Sequence, residues 1–228
     1  MIVAIDGPAG SGKSTIARAL ARRLGLTYLD TGAMYRAVTL AAIEQGIPLE
    51  SDERLGALAR ELDLRFAEGP DGTSRVYVGD REVTEAIRDP LVSQKVSLVA
   101  AHQRVRQALT VRQRELAEGG DMVLEGRDIG TVVCPRAELK IYLTASPEVR
   151  AARRQKQLEE QGIHLSLQAL ERELLLRDSR DAGRVHAPLR RANDAIEIDT
   201  TDLTVEEVLA LICARAARLR SEVEGDLC

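Results

Sequence analysis

Short apolar runs alternate with amphipathic stretches along most of the chain. Ile2 to Asp6 (IVAID) is an apolar run closed by a glycine, the pattern of a strand buried in a parallel sheet. Lys13 to Leu24 has helical spacing, with Ile16, Leu20 and Leu24 on one face and Arg18, Arg22 and Arg23 largely elsewhere. Thr27 to Asp30 (TYLD) predicts a second strand. Thr31 to Gln45 predicts a helix that stops at Gly46, with Pro48 beyond it.

The middle of the chain breaks this rhythm. Asp52 to Leu62 reads as an amphipathic helix. Leu64 to Ala67, Arg75 to Gly79 and Arg81 to Val83 then read as short strands, with turns at GPDG and at Gly79-Asp80. Helices follow over Pro90 to Ala101 and Arg104 to Glu118. Strand and helix then alternate again. Met122 to Glu125, Leu139 to Thr144 and Ala195 to Asp199 are strands, and Pro147 to Gln161, Leu167 to Arg177 and Thr204 to Arg218 are helices. Thr204 to Glu207 (TVEE) is a capping box. The pattern predicts an α/β fold, a doubly wound parallel sheet carrying a small antiparallel insert. At 228 residues there is room for one large domain.

Composition narrows the function. Net charge is -4 and aromatics make up 2% with no Trp, which excludes a general nucleic-acid binder with a basic footprint and stacking platforms. The charge is uneven, however. Thr144 to Arg191 holds nine Arg and one Lys against seven acids, a local excess of +3 that suits a bound anion smaller than DNA. Cys134, Cys213 and Cys228 are far apart and lack metal-ligand spacing, which fits a reducing compartment. No leader and no membrane-length apolar run is read, so the expected location is cytoplasmic, with no membrane partner.

Gly7 to Ser14 reads GPAGSGKS and matches G-x-x-x-x-G-K-[ST] between a predicted strand and a predicted helix. Glycines let such a loop wrap a phosphate with its N–H groups inward, and the helix N-terminus adds its positive dipole end. Lys13 is expected to reach the β/γ-phosphates and the Ser14 hydroxyl to ligate Mg²⁺. Three arginine settings accompany the loop. In LDTGAMYR, Asp30 and Thr31 end a strand and Arg36 follows one helical turn on. They either line a ligand site, or Asp30 or Thr31 merely caps the helix with Arg36 solvated. In EGRDIGT, Arg127 can grip a phosphate and Asp128 can accept from an exocyclic amine, or the two simply pair in a tight turn. In RDSRDAGR, Arg177, Arg180, Asp181 and Arg184 recur at helical spacing, presenting three guanidiniums around a carboxylate, or forming a surface network with Asp178 and Asp181. Glu125 ends a strand, where an acid can serve a Mg²⁺-bound water.

These motifs, in this order and spacing, resemble the bacterial cytidylate kinase family over nearly the whole chain, including REVTEAIRDPLVSQKVSLVAAHQRVR in the insert. The resemblance implies an α/β fold with a three-layer P-loop NTPase core and parallel sheet, an inserted nucleoside-monophosphate-binding subdomain and a short helical lid. It implies one kinase domain over 1–228, with core about 1–50 and 104–228, lid about 150–190 and insert about 51–103. The implied reaction is ATP-dependent phosphorylation of CMP or dCMP, with Mg²⁺ and ATP as cofactor and donor. Gly7, Pro8, Ala9, Gly10, Ser11, Gly12, Lys13, Ser14 and Thr15, with the lid residue Arg153, would bind ATP. Arg36, Arg127 and Arg184 would hold the acceptor phosphate, and Ser97, Arg106 and Asp128 would read the cytosine edge. Asp30 and Thr31 would line the acceptor site, and Arg177 and Asp181 would contact the sugar. Lys13, Arg127, Arg177 and Arg184 would carry the catalysis. The chain is expected to be a monomer without a nucleic-acid partner. Other nucleoside monophosphate kinases and shikimate-type kinases share the P-loop core and remain rivals. A GTPase switch lacks support because no NKxD-type motif is present.

Overall fold

The computed structural model describes residues 1–69, 73–160 and 162–225. In chain order the first elements are β1 (Ile2–Asp6), α1 (Lys13–Leu24), β2 (Thr27–Asp30), α2 (Thr31–Glu44), α3 (Asp52–Glu61), β3 (Leu64–Glu68), β4 (Ser74–Val78) and β5 (Arg81–Glu82). Then come α4 (Pro90–Val99), α5 (Gln103–Ala117), β6 (Met122–Gly126), β7 (Leu139–Thr144), α6 (Pro147–Glu159), α7 (Leu167–Ala182), β8 (Ile196–Asp199) and α8 (Val205–Gly225). The expected GPDG turn and the end of the Pro147 to Gln161 helix fall partly outside the described residues.

The chain divides into two compact units. The first comprises Met1–Leu29, Gly120–Gly183 and the chain from Ala187 onward. Its strands join a five-stranded sheet of order β2-β6-β1-β7-β8. β1 pairs in parallel with β6 and β7, and β7 in parallel with β8. The mostly parallel sheet with flanking helices is the α/β architecture expected. Val3, Ile5, Leu20, Ile141 and Leu143 are buried in one apolar core with Leu209 and Ile212 of α8. Each such side chain contributes about 1.5–3 kcal/mol on burial. Register then places the chemistry. Asp6 lies opposite both Gly126 and Tyr142, so the P-loop and the turn after β6 leave the sheet at the same carboxyl edge. The capping box at Thr204 forms as expected: Glu207 Oε2 accepts the Thr204 N–H at 2.8 Å and Thr204 Oγ1 accepts the Glu207 N–H at 3.3 Å.

The second unit comprises Asp30–Gly119 and Arg184–His186. The antiparallel insert expected at 64–83 is here, as a sheet of order β3-β4-β5 with Leu64 opposite Val78 and Phe66 opposite Val76. Met34, Val38, Leu55, Val99 and Leu109 from the surrounding helices share one buried core. Arg112 ties α5 to the sheet by donating to the carbonyls of Leu62, at 2.8 Å, and Leu64. The expected insert of about 51–103 lies inside this unit, which also takes in all of α2 and α5.

Two local readings are decided by the structure. The helix expected to stop at Arg177 runs to Ala182 and closes at Gly183, whose N–H donates to Ser179 O. Arg184 is therefore beyond the helix end, so the three-guanidinium helical face does not form; Arg180 is exposed and Asp181 is buried. The tight turn left open as the alternative after β6 is instead a wide π-helical turn over Ile129–Val133. It opens with the Asp128 carbonyl accepting from the Val132 and Val133 amides at 2.9 and 3.2 Å.

Candidate active site

In the first unit, β1 hands directly into the P-loop. Gly7 (φ 149) runs so close to β7 that a Cβ there would sit 2.1 Å from the Leu143 carbonyl oxygen. Gly10 (φ 78) is left-handed, and a Cβ would meet Arg150 Cβ at 2.9 Å. Only glycine fits both constraints. The loop delivers Lys13 to the first position of α1, where its ammonium donates to Pro8 O at 2.6 Å. Burial, and then the charges of Arg127 and Arg177, push the Lys13 pKa down to about 7 against the pull of Glu125 and Asp6. Three cationic groups thus share one field, which favours a polyanion.

The loop backbone is clasped from two helices. Arg150 of α6, 5% exposed, donates to Ala9 O at 3.1 Å and pairs with Asp178 of α7. Asp178 in turn accepts the Ala9 N–H at 3.3 Å. Ala9 packs with Ala151, Leu158, Leu170 and Leu174 of the same two helices. Arg153 donates to Thr200 Oγ1 and O at 2.9 and 2.7 Å, and the Thr200 hydroxyl lies 3.2 Å from Ser11 O.

β6 carries Glu125 and the turn after it Arg127 and Asp128, with Glu125 and Asp128 buried. Tyr28 donates to Glu125 Oε1 at 2.5 Å, fixing that carboxylate from β2. Arg127 pairs with a residue far along the chain. Its Nε donates to Asp181 Oδ2 of α7 at 3.0 Å. Burial opposes the charge on Arg127, but Asp181 outweighs it, by charge and hydrogen bond, and holds the guanidinium pKa above its ordinary value.

In the second unit, Asp30 does cap α2, accepting the Ala33 N–H at 3.0 Å. Arg36 is not solvated: its Nη2 lies 2.6 Å from Asp30 Oδ2 and the side chain is 21% exposed. Burial alone would raise the Asp30 pKa, yet the Arg36 charge and hydrogen bond, with the Ala33 amide, hold it below the ordinary value. Thr31, the first residue of α2, and Ser97 on α4 are buried. Arg106, 4% exposed, lies over the Tyr35 ring with 5.3 Å to its centroid and donates to Ala100 O at 3.1 Å. Arg184 reaches the same Ala100 carbonyl at 3.4 Å.

A family model described as cytidylate kinase matches residues 3–218. A curated relative named cytidylate kinase, from Exiguobacterium sibiricum, is 54% identical over 225 residues, covering 99% of this chain and 97% of that protein. This chain belongs to the cytidylate kinase family.

A second family member, from Carboxydothermus hydrogenoformans, is 50% identical over 210 residues, with 92% of this chain and 94% of the relative covered. Among solved structures, an uncharacterised protein from Eubacterium ventriosum aligns with TM-score 0.50 at 15% identity, over 94% of this chain and 97% of that one, a likeness of fold alone. The structure brings Lys13, Arg127, Arg177 and Asp181 of this cytidylate kinase family chain into the first unit with the P-loop and Arg153. It brings Asp30, Thr31, Arg36, Ser97, Arg106 and Arg184 into the second. Sequence reasoning missed Asp6, Tyr28, Arg150 and Thr200, and took Asp178 only as a surface partner. Their one signal was position: Asp6 and Tyr28 are polar residues within strand patterns, and Arg150 follows a helix start at Ser146-Pro147.

Proposed function

We propose that this chain transfers the γ-phosphoryl group of ATP to the phosphate of CMP or dCMP, giving ADP and CDP or dCDP in pyrimidine nucleotide metabolism. The observation that carries the reading is the buried Lys13 at the P-loop, in one field with Arg127 and Arg177. The acceptor phosphate is largely ionised near neutral pH, its second pKa being about 6, so no general base is needed. Positioning and charge neutralisation are what the reaction requires.

The P-loop, Gly7 to Thr15, wraps the donor phosphates with the backbone N–H groups it has to spare, and Lys13 stabilises charge on the transferring group. Arg153, anchored on Thr200, serves the same phosphates from α6. Arg36, Arg127 and Arg184 bind the acceptor phosphate, Ser97, Arg106 and Asp128 the cytosine edge, and Arg177 and Asp181 the sugar, with Asp30 and Thr31 beside them. The donor set fits Mg²⁺ carried in by the nucleotide. No cluster of three metal-ligating side chains occurs among the described residues, and Mg²⁺ is commonly held by few protein groups plus phosphates. Ser14 would supply one oxygen, with the Tyr28-bound Glu125 as the nearby carboxylate. Bound there, the ion would neutralise phosphate charge.

No helix among the described residues is long and apolar enough to cross a membrane. A monomer in the cytoplasm, acting on small molecules and not on nucleic acid, is the accompanying reading. ADP release from MgATP, measured against CMP, dCMP, UMP, AMP, GMP and shikimate, tests the proposal. Strong turnover is expected with CMP and dCMP alone. Preference for another acceptor discards the roles of Ser97, Arg106 and Asp128, and no stimulated turnover discards the kinase reading.

A further inference from the structure

Asp6 ends β1 directly before Gly7 and is 4% exposed. Its Oδ1 accepts the Ile129 N–H and its Oδ2 the Gly130 N–H, both at 2.8 Å. One carboxylate from the strand that leads into the P-loop thus holds two consecutive amides of the π-helical turn after β6. First-turn amides of a helical segment have no acceptor inside it, and a two-oxygen anion satisfies both at once. The fit is close from below as well: a Cβ on Gly130 would lie 3.2 Å from Lys140 Cδ and 3.5 Å from Asp6 Oδ2. Arg127 and Asp128 immediately precede the held amides.

We infer that Asp6 is a positioning residue for phosphoryl transfer: by gripping the Ile129 and Gly130 amides it sets the turn that presents Arg127 and Asp128 to the acceptor. This rests on the roles proposed above for those two side chains. A carboxylate is a costly way merely to fill this space, because burial disfavours its charge. Burial raises its pKa from 3.8 to about 6 despite the two amide bonds, with Asp128 adding to the rise and Lys13 opposing it. Tyr142 on β7 faces the same charge and titrates higher in part because of it, and the Lys140 stem lies beneath Gly130. Asp6 is therefore ionised at pH 7.5. Protonation below about pH 6 replaces one acceptor oxygen by an O–H facing an amide donor.

Asp6→Asn imitates that neutral form. At pH 7.5 kcat/KM for CMP is expected to fall at least ~30-fold, the scale of one hydrogen bond to a charged group, with KM for ATP within ~3-fold of wild type. The acid limb of log(kcat/KM) for CMP adds a readout that a purely structural role would not move. In the wild type, protonation of Asp6 adds to that of the acceptor phosphate, so the limb is steeper than one over the pH unit or so below about 6; in Asp6→Asn only the phosphate remains and the slope stays at about one. Arg127→Ala serves as the reference. If it keeps wild-type CMP kinetics, the reading beneath the inference falls. If it is impaired while Asp6→Asn matches the wild type, or if Asp6→Asn raises both KM values alike, the inference itself is overturned. Should Asp6→Asn not accumulate folded, the wild-type limb decides: a stretch steeper than one proton below about pH 6 supports the role, and a one-proton fall throughout overturns it.

Discussion

Replacing Lys13 by methionine is expected to lower kcat/KM for CMP phosphorylation by about 10³-fold while leaving the protein at least as stable as the wild type. The loss follows from removing a preorganised charge at the transferring phosphoryl group, where single donors are worth about 10²–10³ in rate. The stability follows from the same burial. Lys13 is desolvated and faces Arg127 and Arg177, so its ammonium is held at a cost that Glu125 and Asp6 do not fully offset. Methionine is similar in length and needs no solvation. Thermal denaturation without nucleotide should show an equal or higher Tm. MgATP, which stabilises a protein that binds it, should raise the Tm of the wild type more than that of the variant. A destabilised Lys13→Met protein, or one with near-normal turnover, contradicts this account of the P-loop.

Arg127→Ala should fail in both respects. The side chain of Asp181 is 5% exposed and its ion pair with Arg127 is 3.0 Å long. Removing one partner of a buried pair typically costs about 3–5 kcal/mol, because the other charge stays buried with that partner gone. For a chain of this size that is a fall in Tm on the order of 10 °C. Activity should fall by about 10²-fold or more, since the same guanidinium is assigned to the acceptor phosphate. Arg127→Lys separates the two effects. It keeps the charge near Asp181 and recovers part of the Tm, but it loses the forked geometry, so kcat/KM should stay low. Urea titration and steady-state kinetics on the three proteins check both halves. Full recovery of activity with lysine would mean that Arg127 acts only as a point charge.

Local chemistry was legible in the sequence, and long-range pairing was not. β1, the P-loop and α1 follow from an apolar run, a glycine spacing and a 3.6-residue period within 23 consecutive residues. The Asp30 cap on the Ala33 amide and the capping box at Thr204 likewise each span three residues. The Asp6 grip on Ile129 and Gly130 joins residues 123 and 124 positions apart, and Tyr28 meets Glu125 across 97. No periodicity reports such contacts; only the pairing of β6 with β1 on one side and β2 on the other creates them. The partner of Arg127 was illegible for a similar reason. Its sequence neighbour Asp128 offered a carboxylate, but the wide turn after β6 sends the guanidinium to Asp181, 54 residues on. Charge spacing also misled at the end of α7, where Gly183 stops the helix before Arg184 and sends that residue to the Ala100 carbonyl instead. Asp178, read as a surface partner, proves to share the Ala9 peptide with Arg150, a contact that exists only because α6 and α7 pack on the loop.

The fate of a γ-labelled phosphoryl group tests the central claim most directly. ATP labelled at its γ-phosphate is incubated with Mg²⁺ and CMP, and the products are separated. Label recovered in CDP, with little in inorganic phosphate and none transferred when CMP is omitted, is the expected result. Label released as inorganic phosphate at the same rate with and without CMP would identify a nucleotide hydrolase and contradict the account.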